Sequence, residues 1–588
     1  MYHLGVAYGH NSTLAVVRDG VVTFCQSEER INRIKNATCF PTRTLEHAYK
    51  HLLDPAELAS VNVFATDVRA YLMLKVNGFE PFRFGGPVNP NEVRTWRTDP
   101  AEAERFYIKN RILEAAMQTN ETLRREVTEF VAIRAGVAAE KVVFHDHHRS
   151  HAFSALPFLG QMADQPVLIF TLDGEGDGVA ATVNLWRGGR LETLSVTPDL
   201  CSLGKIYMYV TGMLGFDMNE HEYKIMGLAP YAKPDYFRQL RERFEKLLWV
   251  DETGLWQTSV TSLPQLVTRL ADLCEFQRFD AVAGALQAFA EDMILKWIGH
   301  WVRRSGVGYV ACAGGVFMNV KANQRIAEID GVERYVIVPS CADESTAIGC
   351  AVAGALRAEP GRTIAPIEHL YLGWTHDDAA VASALSACRA SDAYEISEPG
   401  NINDAVADLL AGGGIVARCS GAMEFGARAL GNRSILADPR RVENVAIINH
   451  AIKNRDFWMP FAPTILDEAF AELAVDPAKA GAEFMMVSFN ATPTACTDLV
   501  AALHRSDFTL RPQRLTRRAN PDYHALLTAF RARTGVGGVL NTSFNLHGEP
   551  IVGSPADALR TLNRSGLEYL CLGRYLVRKK AGPVAIAA

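Results

Sequence analysis

The first thirty residues alternate between short apolar runs and turn residues. "YHLGVAY" reads as a strand, "GHNS" as a turn, "TLAVVR" as a returning strand, "DG" as a two-residue hairpin turn, and "VVTFCQSEE" as a third strand that runs into charge. The same order returns later in "PVLIFTLDG", "EGDG", "VAATVNLWR", "GG" and "RLETLSV". Two copies of one hairpin-rich unit predict a duplicated α/β architecture with a cleft between similar halves, a place where a nucleotide would sit.

Helical periodicity fills the intervals. "TRTLEHAYKHLL" and "ETLRREVTEFVAIRAG" follow the first copy, with the Pro/Gly/Asn-bearing insertion "VNGFEPFRFGGPVNPNEV" between them. "RFDAVAGALQAFAEDMILKWIGHWVRRSG" follows the second copy as a long helix, with Gly306 just past its charged end. The strand in "VGYVACAGGVFMNV" meets the turn Gly314-Gly315, and "RYVIVPS" leads through "CADES" into the small-residue helix "TAIGCAVAGALRA". Strand, glycine turn and helix in that order aim backbone amides at phosphate or ribose. Periodicity then lapses over residues 358 to 378, which places a domain boundary there and divides the chain into 1–362 and 363–588.

Length and charge narrow the class. A chain of 588 residues exceeds one core. With a net charge of -6 and no basic run, neither a nucleic acid nor an anionic membrane is an expected partner. No apolar run approaches the roughly 20 residues that span a bilayer, and polar residues interrupt the start before a signal-peptide core can form. A cytoplasmic enzyme is the expectation. The eleven cysteines form no Cys-x-x-Cys pair and are expected as buried free thiols.

The candidate chemistry begins at "HDHHRSHAFSA", where His147 and His151 stand four residues apart and share one face of a helix. That spacing presents two ligands to one metal ion, although hydrogen-bonded core histidines would share it. Asp173 in "LDGEGDG" and Asp343 in "CADESTAIG" each follow a predicted strand and would complete a mixed nitrogen and oxygen site for Fe(II), Zn(II) or Mn(II). His10, at the first hairpin turn, could act as a general base near neutral pH. Past the boundary, "MEFGARALGNRSILADPRR" carries Glu424, Arg428, Asn432, Arg433 and Ser434, "IKNRDFWMPFAP" carries Lys453 and Arg455, and "GVLNTSFNLHGEP" carries Asn541, Thr542, Ser543 and Asn545. Guanidinium forks with hydroxyls and amides suit a small phosphorylated or carboxylated anion.

These motifs, with "SEERINRIKNATCFP", "SLGKIYMYVTGMLGF", "YKIMGLAPY" and "GGVFMNVKAN", occur in an order that resembles the antibiotic and nodulation-factor O-carbamoyltransferases over nearly the whole chain. The resemblance implies an N-terminal domain of the actin-like ATPase type and a C-terminal α/β domain similar to the threonylcarbamoyl-adenylate synthase fold. It implies that carbamoyl phosphate and ATP give carbamoyl adenylate in the second domain. The carbamoyl group then passes to a small-molecule alcohol in the first. On that resemblance His147, His151, Asp173 and Asp343 look like the metal site, with Fe2+ ahead of Zn2+ or Mn2+. His10 and Lys35 look like catalytic groups, and Gly314, Gly315 and Asn319 match the segment near the nucleoside. Arg428 resembles a catalytic cation of the second domain. Asn432, Arg433, Ser434, Lys453, Arg455, Arg511, Asn541, Thr542, Ser543 and Asn545 resemble the residues that bind carbamoyl phosphate and ATP with Mg2+.

Two departures stand out. "GAMEFGAR" replaces the family's Gly-Arg-Met-Glu-Phe-Gly-Pro-Arg, so Arg418 is a candidate to restore the lost charge, and Tyr223 stands where glycine is usual. A tRNA threonylcarbamoyl-type transferase and another actin-like ATPase are the alternatives. The first would be expected to show a basic face, and the second Asp and Lys at the first hairpin.

Overall fold

The structure, a computed structural model, describes residues 1–64, 67–83, 121–389 and 393–580. The greater part of the insertion "VNGFEPFRFGGPVNPNEV", from residue 84 on, lies outside them. The chain forms two compact units. The first comprises Met1–Glu28, Asn36–Ile367 and Ala478–Ala480, and the second comprises Glu29–Lys35, Glu368–Pro477 and Gly481–Ala588.

Two five-stranded sheets build the first unit, and they repeat one plan. The first places its strands in the order Val21–Ser27, Thr13–Arg18, Tyr2–Ala7, Leu58–Phe64, Val142–His145. The second runs Arg190–Pro198, Val179–Arg187, Val167–Gly176, Tyr309–Ala313, Arg334–Ile337. In each, the first three strands pair antiparallel and the last two add in parallel. The two sheets thus repeat one strand plan, as the two runs of hairpin signals predict. The hairpin signals explain it locally: Asp19-Gly20, Asp177-Gly178 and Gly188-Gly189 all have positive φ at both turn residues, the geometry that matches the twist of two antiparallel strands.

The small-residue helix Thr346–Ala358 lies where two backbones press on it. A Cβ on Gly5 of the first strand would fall 1.8 Å from the Ala347 carbonyl oxygen, and a Cβ on Gly349 would fall 1.7 Å from that of Ser150. Neither position admits a side chain. Ser150 belongs to the helix His147–Ser154, so the small-residue helix ties that element to the first sheet. The long helix Phe279–Ser305 ends as expected at Gly306, whose φ of 69° lets its N–H reach the Val302 carbonyl.

The second unit holds a mixed eight-stranded sheet ordered Tyr394–Ser397, Tyr575–Lys579, Tyr569–Leu572, Val416–Cys419, Arg433–Ala437, Gly538–Ser543, Ala462–Leu466, Gln513–Leu515. Its core packs Ala417, Ile435, Leu540, Phe544, Leu562 and Leu570. The described cysteines are free thiols, buried except for Cys274 and Cys496. Among the described residues, no helix is long and apolar enough to cross a membrane.

The backbone contact at Gly349 gives a test. Gly349→Ala forces the histidine helix away from its neighbour and is expected to lower stability by about 1–3 kcal/mol, the usual cost of overpacking. Denaturant unfolding of the two proteins checks it, and an unchanged midpoint would show that the contact is slack.

Candidate metal centre and cation cluster

Asp146 caps the helix His147–Ser154 by accepting the Arg149 amide at 2.8 Å, and Asp177 accepts the His147 amide at 2.9 Å. With its first turn held at both points, the helix presents His147 and His151 side by side, ring centroids 4.7 Å apart. Asp173 arrives from the strand Val167–Gly176 and Asp343 from the turn before the small-residue helix. Nε2 of His151 lies 3.0 Å from Asp173 Oδ2 and 3.5 Å from Asp343 Oδ1, and Nε2 of His147 lies 3.5 and 3.7 Å from the same two oxygens. Ligand atoms at about 2.1 Å around a tetrahedral ion stand about 3.4 Å apart, so the four side chains are already spaced for one. Within this group each residue offers a ligand atom, all within 4.8 Å of one another.

The surroundings fit an ion too. A Cβ on Gly176 would lie 2.1 Å from the His147 ring, so only glycine gives that imidazole room. Two neutral imidazoles and two carboxylates carry a charge that one divalent cation cancels. Burial opposes charge on His151, but hydrogen bonds to Asp173 and Asp343 and their charges outweigh it and raise the imidazole to about 9. His147 is raised by the same carboxylates against the same burial. Asp173 is held well below its ordinary range, because the two imidazoles outweigh its burial. Such a cluster exchanges protons for a metal ion.

His10 stands against this centre, its Nδ1 3.0 Å from Asp343 Oδ2. Next to it Asn11, held at a φ of 58°, donates to buried Glu344 at 3.4 Å. His148, between the two ligand histidines, is turned away: its Nδ1 meets Thr171 at 2.8 Å and its Nε2 the Val179 carbonyl at 2.9 Å. Burial, with the charges of His147 and His151, lowers it to about 3.

In the second unit the polar motif folds as a loop around Glu424. One carboxylate oxygen accepts the amides of Leu430, Asn432 and Arg433 at 2.8, 2.8 and 3.1 Å. Buried Lys453 donates to Ser543 Oγ at 3.0 Å and Asn545 Oδ1 at 2.8 Å. Burial, then Arg455 and Lys35, hold its amine well below the ordinary range. Arg511 is likewise lowered by burial, Arg428 and Arg455. At both groups the neighbouring charges that act are cations, so positive charge is gathered around them.

Residues 2–352 match the family described as carbamoyltransferase N-terminus, and residues 407–579 match carbamoyltransferase C-terminus. The chain belongs to the carbamoyltransferase family. Nodulation protein NolNO of Sinorhizobium fredii is 31% identical over 582 residues, 97% of this chain and 79% of that one. The 3'-hydroxymethylcephem-O-carbamoyltransferase of Amycolatopsis lactamdurans is 30% identical over 268 residues, 44% of this chain and 47% of that one.

In this carbamoyltransferase the structure sorts the expected site residues into three groups. His10, His147, His151, Asp173 and Asp343 stand together, with a Cβ on Gly315 only 3.0 Å from Asp173 Oδ1. Lys35, Arg428, Lys453, Arg455 and Arg511 act on one another electrostatically, and Ser543 and Asn545 hold the Lys453 amine. Others face inward. Arg433 donates to the carbonyls of Ser420 at 2.9 Å, Gly421 at 3.2 Å, Asn432 at 2.9 Å and Gly553 at 3.1 Å. Ser434 accepts the Gly431 amide at 2.9 Å, and Asn432 bonds Ala422 and Arg418. Arg418 pairs with Asp522 and bonds the Gly431 carbonyl.

Elsewhere, Asn541 bonds Ala429 and Thr464, while its buried Oδ1 has no hydrogen-bond partner among the described residues. Thr542 is buried in the strand that carries Asn541. Asn319 caps its helix and forms a reciprocal amide pair with Gln287, 3.0 Å in each direction, while Gly314 closes on the Leu172 backbone. Glu344, Asp177 and the Arg30–Arg33 pair were not singled out by sequence. Each nevertheless lies inside one of the sequence motifs: Asp177 in "LDGEGDG", Glu344 in "CADESTAIG", and Arg30 and Arg33 in "SEERINRIKNATCFP".

Two outcomes follow for the purified protein. His151→Ala is expected to cost metal affinity more than the roughly 10–100-fold typical of losing an outer-shell partner, which metal analysis after dialysis against a chelator would read. Lys453 has a folded pKa below its unfolded value, so between the two the unfolded chain binds more protons and stability rises with pH. Lys453→Met is expected to flatten that slope by up to about 1.4 kcal/mol per pH unit, measured by denaturant unfolding across alkaline pH.

Proposed function

We propose that this carbamoyltransferase makes carbamoyl adenylate from carbamoyl phosphate and ATP in its second unit and transfers the carbamoyl group to a small-molecule hydroxyl in its first. The observation that carries the reading is the pairing, in one chain, of a His/His/Asp/Asp cluster joined to His10 with a separate cluster of cations around Lys453. The matched relatives act on, or are named for, nodulation and a hydroxymethylcephem, which supports a natural-product alcohol as acceptor.

In the second unit, which we assign to the threonylcarbamoyl-adenylate synthase type, Arg428, Lys453, Arg455 and Arg511 neutralise the phosphates of carbamoyl phosphate and of ATP with its Mg2+. Water releases inorganic phosphate and leaves carbamate. A carbamate oxygen attacks the α-phosphorus of ATP, and pyrophosphate leaves with the electron pair of the broken P–O bond. Lys35 adds to the same positive field.

In the first unit, His147, His151, Asp173 and Asp343 would hold a divalent ion, Fe2+ first and Zn2+ or Mn2+ as alternatives, which supplies Lewis acidity toward the carbamoyl adenylate. His10 takes the acceptor's hydroxyl proton on Nε2 while Asp343 holds its Nδ1. The hydroxyl oxygen attacks the carbamoyl carbon, and AMP leaves. Gly315, beside Asp173, leaves room for the bound group to approach.

The two half-reactions separate the sites. His151→Ala is expected to abolish carbamate-ester formation and still release pyrophosphate from carbamoyl phosphate and ATP. Arg428→Ala is expected to lower pyrophosphate release by about 10²-fold or more and still transfer from supplied carbamoyl adenylate. Mass spectrometry of the acceptor-free reaction reads the first step, and loss of the same step in both variants would refute the two-site reading.

A further inference from the structure

Glu29–Lys35 belongs to the second unit, whereas the residues before and after it belong to the first. Its attachments are specific. The buried Arg30 side chain donates to the Gly426 carbonyl, two residues before Arg428. Arg33 donates to the carbonyls of Ile551 at 2.6 Å and Pro550 at 2.8 Å, with Nε 3.8 Å from Asp557. From the other side, the Arg30 carbonyl lies 2.2 Å from where a Cβ on Gly553 would be, so the two backbones meet at a glycine. Gly553 in turn gives its own carbonyl to Arg433. Arg33 holds a φ of 65°, a left-handed conformation that a side-chain-bearing residue keeps only when its surroundings fix it.

Sinking two guanidiniums onto backbone carbonyls carries a desolvation penalty that apolar residues would avoid if the only task were to fasten a chain segment. What the segment delivers is Lys35, two residues beyond Arg33 and, like Lys453, part of the second unit, where its charge adds to those acting on Lys453. We propose that Arg30 and Arg33 are positioning residues that strap Glu29–Lys35 to the Gly426 turn and the Pro550–Gly553 loop, so that Lys35 is a fixed member of the second unit's anion site. The inference rests on the reading of that site as the phosphate-binding centre.

Calorimetric titration of the full chain with inorganic pyrophosphate tests it. Lys35→Met and Arg33→Gln are each expected to weaken binding about tenfold, the loss of one charge-assisted contact. The double variant is expected to lose no more than either alone, because Arg33 acts through Lys35. Arg33→Lys, which can reach one of the two carbonyls, restores part of the loss. Gly553→Ala, which pushes the strap from the opposite face, repeats it in a chain that keeps all its charges. Additive losses of about a hundredfold in the double variant overturn the inference, as does unchanged binding in Arg33→Gln beside a weakened Lys35→Met. A wild-type chain that binds no pyrophosphate overturns the phosphate-site reading itself.

Discussion

The first unit depends on a place where three backbones touch. The helix Thr346–Ala358 has no side chain at Gly349, and the strand beneath it has none at Gly5, so carbonyl oxygens take up the space that Cβ atoms would need. Because the helix begins just after Asp343 and lies against Ser150, the same contact sets the distance between a carboxylate ligand and the two histidines. The 3.5 Å separation of His151 and Asp343 therefore follows from backbone packing as much as from the side chains. Interiors at crystal-like density transmit such constraints with little slack.

In the second unit the governing constraint is like charge held under cover. Lys453 and Arg511 stay folded beside other cations because neutral acceptors, the Ser543 hydroxyl and the Asn545 amide for Lys453 and the Met485 carbonyl at 3.4 Å for Arg511, share the cost of their dehydration. The loop around Glu424 plays the opposite part. One carboxylate gathers the amides of Leu430, Asn432 and Arg433, and the Arg433 guanidinium gathers the carbonyls of Ser420, Gly421, Asn432 and Gly553.

Much of this was legible in the sequence where the determinant is local. Asp-Gly and Gly-Gly pairs announce hairpins because their turns require positive φ, and the duplicated sheet follows from two runs of such pairs. The i,i+4 histidines and the two aspartates of "LDGEGDG" and "CADESTAIG" pointed to the four side chains that the structure brings together, Asp173 within its strand and Asp343 in the turn before the small-residue helix. What sequence obscured depends on distant partners. Arg433's carbonyl partners lie up to 120 positions away, at Gly553, and Arg418's acidic partner Asp522 lies 104 away, so neither arrangement could be read from the short motif. Glu344 hides behind its neighbour Asp343, since nothing in "ADES" tells a ligand from a buried anchor.

The strap also fixes an order of events in time. Arg33 and Ile551 lie 518 positions apart, so a ribosome adding roughly 5–20 residues per second needs about half a minute to two minutes between making one and making the other. Throughout that interval the guanidinium must stay hydrated and the segment uncommitted, while the strands on either side of it already have their partners at hand. The strap therefore cannot close until Pro550, Ile551 and Gly553 have been made, long after the strands that flank Glu29–Lys35.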